Sequence, residues 1–562
     1  MKSMIINTGY PRLGAILLST LLLCSMAGCA SKGKQPKAMP PTPSFGPPKI
    51  IQMRDIGAIA PTGNSVADMA SDGNIYPGEW LAIEGKFIAE SQFQIDGQTL
   101  VPAHLAANAM LVRVPAGLSP VKLHKLVLSN AHGTATKEFH TRHYIAATDT
   151  DENRLHFLRT DPATRGYIEM DSAYGMELTQ KRALLSQISP SHGFLYSFGI
   201  ISKEKVSKEK VSREKASKEN TATGTGMAYK VSLQTIHLAA AGMPAVIDET
   251  EITLSSQPTS VSMDDKGRLV LLGARDLVFI DVSEETHPKI MAKLALPATS
   301  GKELYMDALF LNQGKHLALM ETTQNRLLIY DIADLARPAL VAQQRVYPKA
   351  DMPMLVDILA DPARSNRFWV LAGANLRILD EQLRDLYSRV MDGSQADEAH
   401  EVSEQLIAFE FEDGALIQGK TLDLPENFVP FFGISGPDKR LYVSGFNGEF
   451  LDFKTLTLDM ALVKNMFLSL VNTVQFGRIL AIDPESGQIQ NQAQGLGLYY
   501  HLDYMPDLGP VYALYKLSGK MFAPFVKVKW GIGVSSRGTF SIRDGSANSI
   551  FPPYSVGYIS LQ

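Results

Sequence analysis

Apolar residues in this chain come in short clusters of strand length, separated by polar turns, in two different rhythms. Residues 51 to about 140 carry brief alternating runs. Trp80-Leu81-Ala82-Ile83-Glu84-Gly85-Lys86-Phe87 follows Pro77-Gly78; Phe93-Gln94-Ile95 runs into Asp96-Gly97. Leu111-Val112-Arg113-Val114-Pro115 and Lys125-Leu126-Val127-Leu128-Ser129-Asn130 complete the series. Alternation of this kind puts apolar side chains on one strand face, as two packed sheets require. From about residue 145 onward the rhythm lengthens. Leu277-Val278-Phe279-Ile280-Asp281-Val282-Ser283 is echoed by Leu327-Leu328-Ile329-Tyr330-Asp331-Ile332-Ala333, with Asp281 and Asp331, and Pro288 and Pro338, each 50 positions apart. A fainter copy is Leu376-Arg377-Ile378-Leu379-Asp380.

Each copy follows another strand pair. Val261 to Met263 turns through Asp264-Asp265-Lys266-Gly267 into Leu269 to Leu272, and Ala308 to Leu311 turns at Asn312-Gln313-Gly314 into Leu317 to Leu319. Ile358-Leu359 leads to Phe368 to Leu371, and Ile434 turns at Gly436-Pro437-Asp438 into Leu441 to Val443. A period of roughly 40–50 residues with several strands per unit predicts propeller blades, whose sheets bury one another when set radially. The fold class is therefore all-β: a β-sandwich over 51–141 and a β-propeller of about seven blades over 145–562. Residues 51–141 resemble an immunoglobulin-like IPT/TIG domain through Pro77-Gly78, Gly85 with Phe87, Asp96-Gly97, Val114-Pro115 and Asn130 with Gly133. The first two long copies resemble LVIVD-type repeats of bacterial surface propellers.

Two insertions break the blade rhythm, at 202–226 and 381–404. The first repeats Ser-Lys-Glu-Lys-Val from Ser202, and at about 100° per residue Val206, Val211 and Ala216 form no single helical stripe. It reads as a solvated loop or transient helix, with a basic docking arm as the alternative. In the second, Leu383, Leu386 and Val390 have helical spacing, which predicts a short surface helix.

The N-terminus changes the picture of where the chain works. Lys2 and Arg12 precede an apolar run, Leu13 to Leu23, too short for a stable membrane span. Ser25-Met26-Ala27-Gly28-Cys29 then resembles a bacterial lipobox, with Met26 where Leu is usual. The resemblance implies a signal peptide over 1–28 and acylation of Cys29, palmitate included, so that lipid holds the protein to a membrane. Each buried methylene contributes about 0.8 kcal/mol, which makes several acyl chains a firm anchor. Residues 29–50 hold Cys29 and a tether with Pro36, Pro40, Pro41, Pro43, Pro47 and Pro48, a composition that favours extended backbone. Ala30 in place of Asp after the cysteine implies, by the same resemblance, the cell outer membrane, facing the periplasm or the surface.

The only other cysteine is Cys24, inside the leader, so neither a disulfide framework nor a cysteine metal cluster is expected. The formal charge is -4, and losing Lys2 and Arg12 takes it to -4 - 2 = -6. An acidic surface argues against a nucleic-acid partner.

The candidate chemistry is sparse. There is no Gly-x-Ser-x-Gly elbow; Gly433-Ile434-Ser435-Gly436 lacks the second spacer and falls at an expected blade turn. Phosphate loops and His-Glu-x-x-His are absent. His140 and His143 read as surface polar residues. Asp149, Asp151 and Asn153 open a calcium-like loop that Arg154 and Leu155 leave incomplete, and Asp503 and Asp507 flank a turn. No metal or cofactor is expected. Asp281 and Asp331 repeat from blade to blade, as residues that bind turn amides do, whereas catalytic groups are normally asymmetric.

Among the late aromatic residues, Tyr504 and Trp530 are candidates for a binding face. The sequence thus points to a non-enzymatic envelope lipoprotein whose propeller offers a protein-interaction or scaffold surface. The alternatives are a glycan-binding surface lipoprotein and a propeller enzyme. The three tryptophans, Trp80, Trp369 and Trp530, do not supply the blade-by-blade motif of quinone-dependent propellers.

Overall fold

The computed structural model describes residues 46–57, 73–119, 122–142, 144–149, 154–161, 167–170, 176–180, 182–205, 227–238, 244–298, 303–347, 353–373, 404–426, 428–447, 477–495, 497–505, 509–516, 539–542 and 554–558. All regular structure among them is β, and no described helix is long and apolar enough to cross a membrane. Residues 47–562 form one compact unit.

The first part of that unit is two four-stranded antiparallel sheets. One runs Lys49–Asp55, Trp80–Lys86, Ala109–Arg113, His104–Ala106; the other runs Gln98–Thr99, Gln92–Ile95, Leu123–Asn130, Gly133–His140. Leu81, Ile83, Met110 and Val112 from the first sheet share a buried cluster with Phe93, Ile95, Leu126, Leu128 and Phe139 from the second. The alternation in the sequence therefore delivers a two-sheet core. Asp96 and Gly97 take φ of 49° and 83°, the left-handed pair that a two-residue hairpin needs to match strand twist.

Seven further sheets follow. The second blade holds Arg182–Ile188, Phe194–Lys205, Met227–His237 and Ala245–Leu254, and the third holds Pro258–Met263, Arg268–Gly273, Asp276–Asp281 and Lys289–Ala295. The fourth holds Tyr305–Leu311, His316–Glu321, Arg326–Asp331 and Ala339–Arg345, and the fifth Met354–Ala360, Arg367–Gly373, Gln405–Glu412 and Ala415–Asp423. The sixth holds Phe428–Ser435, Leu441–Asn447, Gly477–Ile482 and Ile489–Gly495; the seventh, Gly497–Met505, Gly509–Lys516 and Tyr554–Tyr558. In the first blade, Tyr144–Asp149, Arg154–Asp161 and Tyr167–Met170 are joined by Thr539–Ile542, which pairs in parallel with Tyr144–Asp149.

Buried clusters show why these sheets stand radially. Ile200, Leu233 and Ile252 of the second blade pack with Leu269, Leu271 and Ile280 of the third. Leu272 and Phe279 of the third pack with Leu317 and Leu328 of the fourth. Ala318 and Ile329 of the fourth meet Phe368 and Phe409 of the fifth, while Trp369 and Leu406 of the fifth meet Leu441 and Leu480 of the sixth. Each of these cores lies between neighbours, so the third, fourth and fifth sheets bury both faces, and a fully buried side chain such as Trp369 contributes about 2–3 kcal/mol. The innermost strands touch in order from Arg182–Ile188 to Gly497–Met505, and Thr539–Ile542 touches both Gly497–Met505 and Arg182–Ile188, closing the ring.

Two expectations need correction. The third strand of the fifth blade is Gln405–Glu412, paired with Arg367–Gly373, and not the copy at 376–380. A segment of 374–403 intervenes and lies outside the described residues, as does the expected helix around Leu383. The first insertion was expected to start as a loop at Ser202. Ser202–Lys205 instead continues a strand against Met227–Lys230, because exposed lysines and glutamates are tolerated on an extending hairpin. Residues 206–226 lie outside the described residues.

Candidate functional site

A cavity of about 570 Å³ lies on the ring axis. Gln187, Ser260, Asp307, Asp357, Gly433 and Leu502 line it, one from each of six consecutive innermost strands. Each of those strands carries an irregular register near the same place, between Ala183/Leu185, Pro258/Ser260, Tyr305/Asp307, Leu355/Asp357, Pro430/Phe432 and Tyr499/His501. A bulge bends a strand and re-aims the next side chain. In the fourth and fifth blades that next residue is an aspartate.

These two carboxylates are tied to backbone. Asp307 Oδ1 accepts the Ser260 hydroxyl at 2.6 Å and the Ala308 amide at 2.8 Å, and Oδ2 accepts the Ile358 amide at 3.4 Å. Asp357 Oδ2 accepts the Gly433 amide at 2.9 Å. Both therefore reach from one blade to the innermost strand of the next, one residue past its bulge. A glycine at 433 lets the two strands approach this closely, since a Cβ there would lie 2.3 Å from the Leu359 Cδ2 and the leucine side chain would have to move. Gly433 and Ile434 belong to the cavity wall, and the turn begins only at Gly436. Ser435 donates its hydroxyl to the Ala360 carbonyl of the preceding blade.

One mouth of the cavity is built from the hairpins between first and second strands. Arg268 binds Asp264 at 2.6 Å, and its guanidinium also reaches the Gly314 carbonyl of the next blade. Arg367 Nε binds Asp361 at 2.6 Å, while Trp369 Nε1 donates to the same carboxylate at 2.8 Å. Asn312 meets His316 at 3.0 Å, and the Tyr442 hydroxyl meets Asp438 at 2.5 Å. The same hairpin is stapled in four blades by a polar pair, Asp–Arg in the third and fifth, Asn–His in the fourth and Asp–Tyr in the sixth.

Asp281 and Asp331 stand away from the cavity lining. Asp281 Oδ1 accepts the Ser283 amide at 2.8 Å, and Asp331 Oδ1 accepts the Ala333 amide at 2.9 Å, the turn role expected from their repetition. The Ser283 amide and then the Ser283 side chain hold the Asp281 carboxyl below the usual range, against an opposing effect of burial and with a lesser contribution from Lys289. Asp483 repeats the arrangement in the sixth blade through the amides of Ser486 and Glu485.

On the same side as these turns, the sandwich is seated on the ring. Glu285 accepts the Ser191 amide at 2.9 Å, the Ser191 hydroxyl at 2.6 Å and the Arg113 guanidinium at 2.7 Å. Arg113 in turn donates to the Gly78 carbonyl at 3.1 Å. Gly78 has φ of +83°, and a Cβ on it would lie 2.2 Å from the Ser191 carbonyl oxygen, so only glycine fits. The Tyr196 hydroxyl donates to the Glu285 carbonyl at 3.2 Å; burial first, and then the Glu285 carboxylate, push this phenol far above its usual range.

Of the residues singled out in the sequence, Cys29 and Trp530 lie outside the described residues. Tyr504 belongs to Gly497–Met505, opposite Pro510. His140 is exposed, and His143, Asp151, Asn153 and Asp507 lie outside the described residues. Among the described residues, no group of three or more His, Cys, Asp or Glu is placed to hold a metal ion. The sequence reading missed Ser260, Asp307 and Asp357. The signal was present: Asp307 and Asp357 share the 50-residue offset of Asp281 and Asp331, and each interrupts an apolar strand.

No protein-family model matches the chain, and no curated protein matches it. Among solved structures it is similar to β-propeller proteins. A putative 6-phosphogluconolactonase from Bacteroides uniformis aligns at 12% identity over 74% of this chain and 98% of that one, with a TM-score of 0.41. The periplasmic gluconolactonase of Pseudomonas aeruginosa aligns at 13% identity over 79% of this chain and 96% of that one, with a TM-score of 0.36. The propeller domain of Cps50 (Swd1) from Myceliophteria thermophila aligns at 8% identity over 59% and 92%, with a TM-score of 0.31. At these scores the activities in those names do not transfer to this chain. Among the described residues, the strand pairings and shared cores define an all-β protein with a ring of seven sheets.

Proposed function

We propose that this chain is a non-enzymatic, lipid-anchored envelope protein whose ring presents a protein-interaction surface. The observation that carries the reading is the bonding of Asp307 and Asp357. A general acid or base must have its carboxyl within reach of a substrate proton; these two instead hold neighbouring blades together through backbone amides. A second feature favours a docking role. Val246, Ile290, Leu340 and Ile489 are exposed apolar residues at matching places on the outer strands, opposite Ile236, Ile280, Tyr330 and Ile482. Single exposed apolar residues are common on any surface; what favours contact here is their recurrence at one register position in four blades.

In this reading the two-sheet region is an immunoglobulin-like module of the IPT/TIG kind, and the repeated blades are of the LVIVD kind. Cys29 carries the lipid, the tether gives reach, and the body faces the periplasm or the cell surface from the outer membrane. The test is photo-crosslinking in intact envelopes with the probe at Ile290 or Leu340. A discrete protein adduct is expected. Absence of any adduct, together with glycan-array binding that is lost on replacing Tyr504 or Trp530, would replace this reading with the glycan-binding one. The anchor has its own test: Cys29→Ser is expected to move the protein from the membrane to the soluble fraction, and unchanged fractionation would exclude acylation at that residue.

A further inference from the structure

The sandwich has two ends, and the chain enters it at the end away from the ring. In the first sheet Lys49 pairs with Lys86 and Asp55 with Leu81, while Glu84 pairs with Ala109 and Trp80 with Arg113. Lys49, Lys86 and Ala109 therefore mark one end. Asp55, Trp80 and Arg113 mark the other, where Arg113 meets Glu285 of the ring at 2.7 Å. Pro47 stands at the first end, against the hairpin of the second sheet, since a Cβ on Gly133 would lie 3.0 Å from Pro47 Cβ.

That end carries an arrangement the fold does not need. Lys49 and Lys86 are direct cross-strand partners, and such residues hold their Cβ atoms about 4.5–5.5 Å apart, a spacing at which like charges repel. The two strands run close here, because a Cβ on Gly85 would lie 1.9 Å from the Lys49 carbonyl oxygen. Both lysines are exposed, and neither makes an ion pair among the described residues. The acids nearby do not neutralise them. Glu84 is bound to Arg54 at 2.7 Å, and the exposed Glu90 bonds to neither lysine. Beside Lys49 the register slips between Ile50 and Gln52, which leaves Ile51 unpaired and 65% exposed. Lysines beside an outward-pointing apolar side chain suit the boundary between phosphate headgroups and acyl chains.

We infer that the Lys49–Lys86 end of the sandwich docks on the anionic phospholipid headgroups of the membrane that holds the chain. This rests on the anchored reading above. The stretch from Cys29 to Pro47 would span about 55 Å as polyproline-type backbone, so the tether permits the contact without imposing it. Anchoring makes the contact intramolecular, at an effective concentration of about the millimolar range, and weak binding then suffices. Each lysine close to an anionic surface strengthens it about fivefold. Docked in this way, the sandwich stands between bilayer and ring, with Arg113 and Glu285 on its far side.

The test is amine labelling of the protein purified from membranes and reconstituted on vesicles, of phosphatidylcholine alone or mixed with phosphatidylglycerol, with each lysine read by mass spectrometry. At low salt Lys49 and Lys86 are expected to label at least about fivefold more slowly on the anionic vesicles than on the neutral ones. High salt is expected to remove the difference. The exposed Lys420 of the ring is expected to label alike on both. Lys49→Gln relieves the repulsion and keeps the fold, and it is expected to return about fivefold of the labelling of Lys86 on anionic vesicles. Equal labelling of Lys49 and Lys86 on the two vesicles, with the protein sedimenting on both, would overturn the dock and leave the anchor standing. Sedimentation with neither vesicle would overturn both.

Discussion

The Asp357 carboxylate accepts the Gly433 amide at 2.9 Å across the boundary between two consecutive blades. The link from Asp307 to Ile358 repeats it one blade earlier, at 3.4 Å. Asp357 is 7% exposed. Asp357→Ala leaves a buried amide without its acceptor and is expected to cost about 1–3 kcal/mol. Asp357→Asn keeps an acceptor oxygen and is expected to cost less. Urea unfolding of the three proteins measures the difference.

The same boundary is tight in the other direction. Gly433→Ala puts a methyl against Leu359 and is expected to destabilise the ring by about 1–3 kcal/mol through overpacking. Trimming the neighbour in Leu359→Ala vacates that space, so the double variant is expected to be more stable than the sum of the two single effects. A double-mutant cycle by denaturant unfolding gives the coupling energy; strict additivity would show that the two residues do not compete for the space.

His237 gives a pH dependence of known sign. The ring is buried, stacked on Phe194 at 5.4 Å, and burial pushes it down to about 4. The folded state therefore favours the neutral ring relative to the unfolded chain, whose histidines titrate near 6.5. Stability is full above about 6.5 and falls as pH drops from there to about 4, by on the order of 3 kcal/mol in total. His237→Phe is expected to flatten that part of a plot of melting temperature against pH. An unchanged slope would place the acid sensitivity elsewhere.

The blade rhythm was readable because the same five-residue apolar motif recurs at a fixed offset, and because Asp281 and Asp331 mark its end. The fifth blade was misread because its third strand begins only at Gln405, after 374–403, where the offset no longer applies. The shared core of the first two sheets was readable from alternation at Leu81 and Ile83, and their hairpin from Asp96-Gly97. The axial cavity was not. Its lining comes from six strands spread from Gln187 to Leu502, and its shape depends on bulges that leave no mark in composition. Nor did the sequence show that His124 lies between Asp96 and Ser119, since that arrangement requires both sheets and a loop to be in place.

The sandwich seat depends on Glu285. Glu285→Ala removes the acceptor for Ser191 and Arg113 together. Small-angle scattering is expected to show a broader distribution of sandwich positions, while the ring keeps its melting temperature within a few degrees. Gly78→Val is expected to act in the same direction by steric clash with Ser191. A scattering curve identical to wild type for both variants would show that the seat lies elsewhere.

The central claim is that the axial carboxylates bind blades together and that the ring serves by binding protein. The most direct measurement is the adduct pattern from Ile290 and Leu340 photo-crosslinking in intact envelopes, compared between the wild type and the double variant Asp307→Asn, Asp357→Asn. The account expects the same discrete protein adduct from both, because asparagine preserves an acceptor for the bridging amides. It would be contradicted by the absence of any protein adduct in the wild type, combined with small-molecule turnover by the purified chain that the double variant loses.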